Sequence, residues 1–81
     1  MKQEIISKIE TYITAELLKN PDRSIAPDEP LISGGMVDSF SLVDLALFVE
    51  ENFGVRIDDT ELNAETFDTL EELSDLIISR K

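Results

Sequence analysis

Cysteine and histidine are both absent from this chain. Without cysteine there is no disulfide framework and no thiolate metal site. Without histidine as well, a zinc site lacks its usual ligands, and a hydroxyl nucleophile lacks its usual base. Positive charge is scarce too. Seven Lys and Arg face eighteen Asp and Glu, a formal charge of -11. Nucleic acid and anionic membranes are repelled by such a surface, whereas basic protein partners are steered toward it. No continuous apolar run of membrane-spanning or signal-peptide length occurs, so a soluble cytoplasmic protein is the default expectation. Alternating strand patterns and internal repeats are also missing.

What remains is a helical pattern on 81 residues, read as one domain over 1–81 with a packed core of its own. Ile5, Ile6, Ile9, Tyr12, Ile13 and Leu17 recur at three- and four-residue spacing. They predict a first helix from about Lys2 to Leu18, ended by Asn20-Pro21. A long loop to Val37 follows, carrying Pro21, Pro27, Pro30, Gly34 and Gly35. Loops of that length are functional or packed down, and Ile25, Leu31, Ile32 and Val37 are expected to pin this one. Asp38 and Gly54 are cap residues for a second helix over about Ser39–Phe53. Asp58 with Glu61 has capping-box spacing and predicts a short turn over about Asp58–Leu62. Thr69 with Glu72 repeats that signal for a last helix over about Leu70–Ser79, with Leu70, Leu73, Leu76 and Ile77 inward. The expected fold is all-α, a small bundle of three main helices plus one short helix.

The acidity is not evenly spread. Residues 38–79 hold twelve acids and one base, Arg56, while residues 1–37 hold six acids and four bases. The excess thus begins where the second helix begins. That helix carries two apolar stripes. Leu42, Leu45, Ala46, Val49 and Phe53 form the expected core stripe. Phe40, Val43 and Leu47 form a second, edged by Asp38, Asp44, Glu50 and Glu51. One helix in so small a domain rarely buries its whole circumference, so the second stripe is expected at the surface as a docking strip for a basic-rimmed groove. Phe48 is left open between core and the lining of an internal cavity.

Asp38-Ser39 is the chemically informative pair. A serine at a helix start is exposed, near the positive end of the helix dipole, and open to another enzyme. Three rival uses of these residues fit less well. A serine hydrolase needs a base, and Lys2, Lys8, Lys19 and Lys81 are all distant from Ser39 in sequence. Asp58-Asp59-Thr60-Glu61 lacks the oxygen spacing and central glycine of an EF-hand, so no calcium or other metal site is expected. An unmodified acidic adaptor that only docks is the third.

The stretch Gly35-Met-Val-Asp-Ser-Phe-Ser-Leu-Val-Asp-Leu45, continuing through Phe48-Val-Glu-Glu-Asn-Phe-Gly-Val-Arg-Ile57, resembles a carrier protein of the acyl carrier type. The resemblance runs from the first helix to the last. It implies that Ser39 receives 4′-phosphopantetheine from coenzyme A, attached by a phosphopantetheinyl transferase that uses Mg²⁺. Asp38 matches the acid that assists at the transferase. Phe40 stands where leucine is usual, a large apolar residue in either case. Leu47 matches the family's hydrophobic contact with partner enzymes, and Asp44, Glu50 and Glu51 match its partner-facing acids. The implied role is non-enzymatic. Acyl or aminoacyl intermediates ride as thioesters among activating ligases, acyltransferases and synthases of fatty-acid, polyketide or related biosynthesis. A free-standing monomer is expected. Aminoacyl, D-alanyl and peptidyl carriers are the alternatives within the resemblance.

Overall fold

The computed structural model describes residues 2–20 and 22–81. It contains three helices and two short turns: α1 (Lys2–Tyr12), a π-helical turn (Ile13–Leu17), α2 (Ser39–Phe53), a 3₁₀ turn (Asp59–Glu61) and α3 (Leu70–Arg80). Among the described residues there is no strand, as the missing alternation implied. Helix α2 has the expected bounds. Asp38 caps its start with extended backbone, and Gly54 closes it in the left-handed conformation, its N–H donating to the Glu50 carbonyl.

The first helix differs from the expectation in its last turn. It stops being α-helical at Tyr12 and continues as the π turn Ile13–Leu17. Thr14 supplies the reason. Its buried hydroxyl donates back to the Glu10 carbonyl at 3.0 Å and competes there for the acceptor of the α ladder. The chain then leaves the turn through Lys19 at φ 55°, with the Asn20 N–H donating to the Thr14 carbonyl at 2.7 Å. Pro21, expected to stop the helix, lies outside the described residues.

The core forms where the stripes converge. Ile9 from α1, Ile13 from the π turn, Leu45 and Val49 from α2, and Leu70, Leu73 and Ile77 from α3 are almost wholly buried. The loops join this core through Ile25, Leu31, Val37, Val55, Ile57 and Phe67. Six residues expected inside sit only half inside: Tyr12, Leu17, Ile32, Ala46, Phe53 and Leu76 pack against the core from its rim. Phe67 is the one buried aromatic ring, 1% exposed, on a segment with no helical period to flag it.

Candidate functional site

The site is built from the loop that leads into α2. Its anchor is Asp68, just ahead of α3. The N–H groups of Ile32 and Ser33 donate to Asp68 Oδ1 at 2.8 and 2.9 Å, and the Ser33 hydroxyl donates to Oδ2. The Ser33 hydroxyl, then its N–H, hold the Asp68 carboxyl below its ordinary value of 3.8. The Leu31 N–H donates to the Asp68 carbonyl as well. Asp68 in turn donates its own N–H to Glu72 Oε1 at 2.8 Å, while Thr69 Oγ1 accepts from the Glu72 N–H. The expected Thr69–Glu72 capping pair is therefore spread over three residues, and its carboxylate holds the loop anchor rather than the cap.

Two glycines let the chain turn from this anchor onto the helix. A Cβ on Gly34 would stand 2.5 Å from the Pro30 carbonyl oxygen, closer than any side chain allows. Gly35 has φ 76°, a left-handed conformation that other residues adopt at a cost. The N–H groups of Met36 and Val37 then both donate to the Leu31 carbonyl at 3.0 Å, and Val37 is buried. The polypeptide reaches Asp38 already fixed in direction.

Asp38, Ser39 and Phe40 are all exposed. Asp38 Oδ1 accepts from the Ser41 N–H at 2.8 Å, and this bond holds its carboxyl below the ordinary value. Ser39 is the first residue of α2, where the unpaired N–H groups and the dipole favour a negatively charged substituent. Among the described residues its hydroxyl has no hydrogen-bond partner, in contrast to Ser33.

The predicted strip on α2 is at the surface. Phe40 is 84% exposed, Val43 47% and Leu47 51%. Asp44, Glu50 and Glu51 are exposed beside them. These residues sit on the side of α2 away from Leu42, Leu45 and Val49, which are buried. Phe48 faces neither the core centre nor an internal cavity. Its ring stacks on Tyr12 with centroids 4.2 Å apart and meets Phe53 edge-on. The pair lies against an open groove of about 410 Å³ between α1 and α2. Tyr12 also ties the helices together, its hydroxyl donating to the Asp44 carbonyl at 3.3 Å. Burial, then the charge of Asp44, pushes its phenol above the ordinary value.

Among the described residues no group of His, Cys, Asp or Glu is arranged to hold a metal ion. No helix is long and apolar enough to cross a membrane. Two features of the site were given no role from the sequence. Asp68 is 36 residues from the loop it anchors and lies in no motif. Arg56 was visible only as a lone base, and it lines a groove beside Val43 and Leu47.

Comparison with known proteins agrees with this geometry. Residues 7–77 match the family model described as a phosphopantetheine attachment site. The acyl carrier protein of Rubrobacter xylanophilus is 34% identical over 80 residues, covering 99% of this chain and 95% of that protein. The acyl carrier protein of Thermotoga maritima is 36% identical over 61 residues, 75% of this chain and 74% of its own length. The fold matches the crystal structure of an acyl carrier protein from Thermotoga maritima with a TM-score of 0.74 at 22% identity, over 98% of this chain and 88% of that one. A helical fold, a phosphopantetheine family model across most of the sequence and relatives aligned nearly end to end lead to one assignment: the chain belongs to the acyl carrier protein family.

Proposed function

We propose that residues 1–81 act as one carrier domain, with Ser39 as the attachment point of a 4′-phosphopantetheine arm. The observation that carries this reading is the exposed, unpartnered Ser39 hydroxyl at the first position of α2, preceded by a rigidly held loop. In the attachment step the Ser39 oxygen forms a bond to the phosphorus of coenzyme A that bears the pantetheine. The bond to the neighbouring phosphate breaks, adenosine 3′,5′-bisphosphate leaves, and the hydroxyl proton passes to the transferase. The arm supplies the thiol that this cysteine-free chain lacks, so that acyl groups are held as thioesters.

The chain's own residues have three tasks. Asp38 fixes the start of α2 and presents a carboxylate beside Ser39 for the transferase. Phe40, Val43 and Leu47 give partner enzymes an apolar strip. Asp44, Glu50 and Glu51 attract basic rims and speed encounter. A carrier passes between transferase, acyl-activating ligase, acyltransferases and synthases, so each complex must be weak and quick. Charge steering over a small strip gives fast association without long residence. Tethering then delivers the substrate at high effective concentration to whichever enzyme is docked.

The test is intact mass. Incubation with coenzyme A, Mg²⁺ and a broad-specificity phosphopantetheinyl transferase adds one phosphopantetheine to the wild type and none to Ser39→Ala. A wild type that gains no mass contradicts the reading and favours an adaptor that only docks.

A further inference from the structure

The loop that delivers Ser39 is tied to a part of the chain well beyond α2. Asp68 sits in the segment entering α3, flanked by Phe67 and Leu70, which are both buried, so the backbone beneath its carboxylate is fixed. That carboxylate accepts three donors from the loop: the Ile32 N–H at 2.8 Å, the Ser33 N–H at 2.9 Å and the Ser33 hydroxyl. Two backbone bonds join the same segments. The Leu31 N–H donates to the Asp68 carbonyl, and the Glu71 N–H donates to the Pro27 carbonyl. A carboxylate filled by several donors is a strong and directional joint. Among the described residues, no other side chain accepts from the loop between Pro30 and Val37.

From this joint to Ser39 the chain has little freedom. The Gly35 N–H donates to the Ile32 carbonyl at 3.1 Å, and the Met36 and Val37 N–H groups donate to the Leu31 carbonyl. The residues that Asp68 holds are thus the ones on which the approach to α2 hangs. Buried Val37 leads into Asp38. The Asp38 carbonyl accepts from the Leu42 N–H at 3.0 Å, and its carboxylate accepts from the Ser41 N–H. The path from Asp68 to the first turn of α2 is therefore continuous in hydrogen bonds and packing.

We infer that Asp68 is a positioning residue for the modification of Ser39, making the entry to α3 part of the frame that aims the serine at an incoming transferase. This rests on Ser39 being the attachment point, and it brings into the reaction a residue outside the loop and α2. Asp68 touches none of the reacting atoms. Releasing its joint frees the loop and the first turn of α2. Val43 and Leu47 stay in place, because buried Leu45 and Val49 hold the rest of that helix. Docking is then kept while the aim of the hydroxyl is lost, a loss that falls on the chemical step.

The experiment is steady-state phosphopantetheinylation with coenzyme A, Mg²⁺ and a broad-specificity transferase, on the wild type, Asp68→Ala, Asp68→Asn and Leu76→Ala. Asp68→Ala should lower kcat about tenfold with KM little changed. Asp68→Asn keeps an oxygen for the two N–H groups and should recover most of that rate. Leu76→Ala removes half-buried packing from the same helix without touching the loop, and should keep the wild-type rate. Hydrogen exchange should show the Ser41 and Leu42 amides less protected in Asp68→Ala alone, with Val49 as in the wild type. A wild-type kcat in Asp68→Ala, a loss confined to KM, an equal fall in Leu76→Ala, or unchanged exchange at Ser41 and Leu42 overturns the inference and leaves the carrier reading intact. A wild type that gains no phosphopantetheine removes the carrier reading, and this inference with it. If Asp68→Ala does not fold, Ser33→Ala decides, since it deletes one bond of the joint. A lowered kcat at unchanged KM then supports the inference, and a wild-type kcat overturns it.

Discussion

The two sides of α2 are equally apolar in sequence and opposite in fate. Leu42, Leu45 and Val49 are nearly sealed from water, with Val49 at 0% exposure. Phe40, Val43 and Leu47, interleaved with them, lie open, and Phe40 keeps 84% of its surface. Hydrophobicity alone therefore does not assign a side chain to the core. Its neighbours do. The open stripe alternates with Asp44, Glu50 and Glu51, which must remain in water, whereas no charged residue interrupts the buried one. The inner side secures the fold. The outer side keeps apolar surface in water, which on the proposed reading a partner covers.

The sharpest way to break this comparison is to truncate one leucine on each side. Leu45→Ala should cost about 2–5 kcal/mol in a denaturant melt, from lost burial plus the cavity left behind. Leu47→Ala should stay within about 0.5 kcal/mol of wild type, while weakening association with partner enzymes. Similar losses from both would show that the two sides do not divide stability and docking. Next in size, Gly34→Ala should cost about 1–3 kcal/mol, because the new methyl group meets the backbone of Pro30. An unchanged melt would mean the loop ahead of α2 is not rigidly held.

Charge reversal tests the outer side directly. Converting Asp44 and Glu51 to Lys should lower kcat/KM for the transferase about tenfold at low salt and far less at high salt, with helicity unchanged. A salt-independent loss would point to misfolding rather than to lost steering. The smallest effect concerns pH. The Arg80 guanidinium beside Glu61 holds that carboxyl at about 2, against an ordinary value of 4.5. A depressed folded value stabilises above the ordinary one, and that contribution disappears as pH falls from 4.5 toward 2. Melting temperature over that window should fall less steeply for Glu61→Gln than for wild type. Asp38 and Asp68, also held low, contribute in the same direction to both proteins and cancel in the difference.

Much of this was legible because local rules dominate at helix ends. Asp38 and Gly54 set the bounds of α2, and Glu61 accepts from the Asp58 N–H at 3.0 Å as the capping-box spacing implied. The exposed Ser39 and the outward stripe follow from that helix and its period. The π turn was not legible, because the apolar spacing from Ile9 to Ile13 to Leu17 fits an α-helix. The departure comes from the buried Thr14 hydroxyl and the left-handed Lys19, which no period records. Asp68 was hidden for a different reason. Its partners are brought to it by the packed loop, so its role exists only once the chain has folded. The same holds for Arg56, a lone base in the sequence that comes to line a groove with Val43 and Leu47 only once the chain has folded.

Three serines lie within the approach to α2 and its first turn, and one of them is the proposed attachment point. Ser33 is engaged with Asp68, Ser41 is half-buried, and Ser39 is open. The most direct measurement is fragmentation mass spectrometry of the phosphopantetheinylated protein, mapped across the peptide that contains all three. The modification is predicted on Ser39 alone. A phosphopantetheine found on Ser33 or Ser41 would contradict the account at its centre.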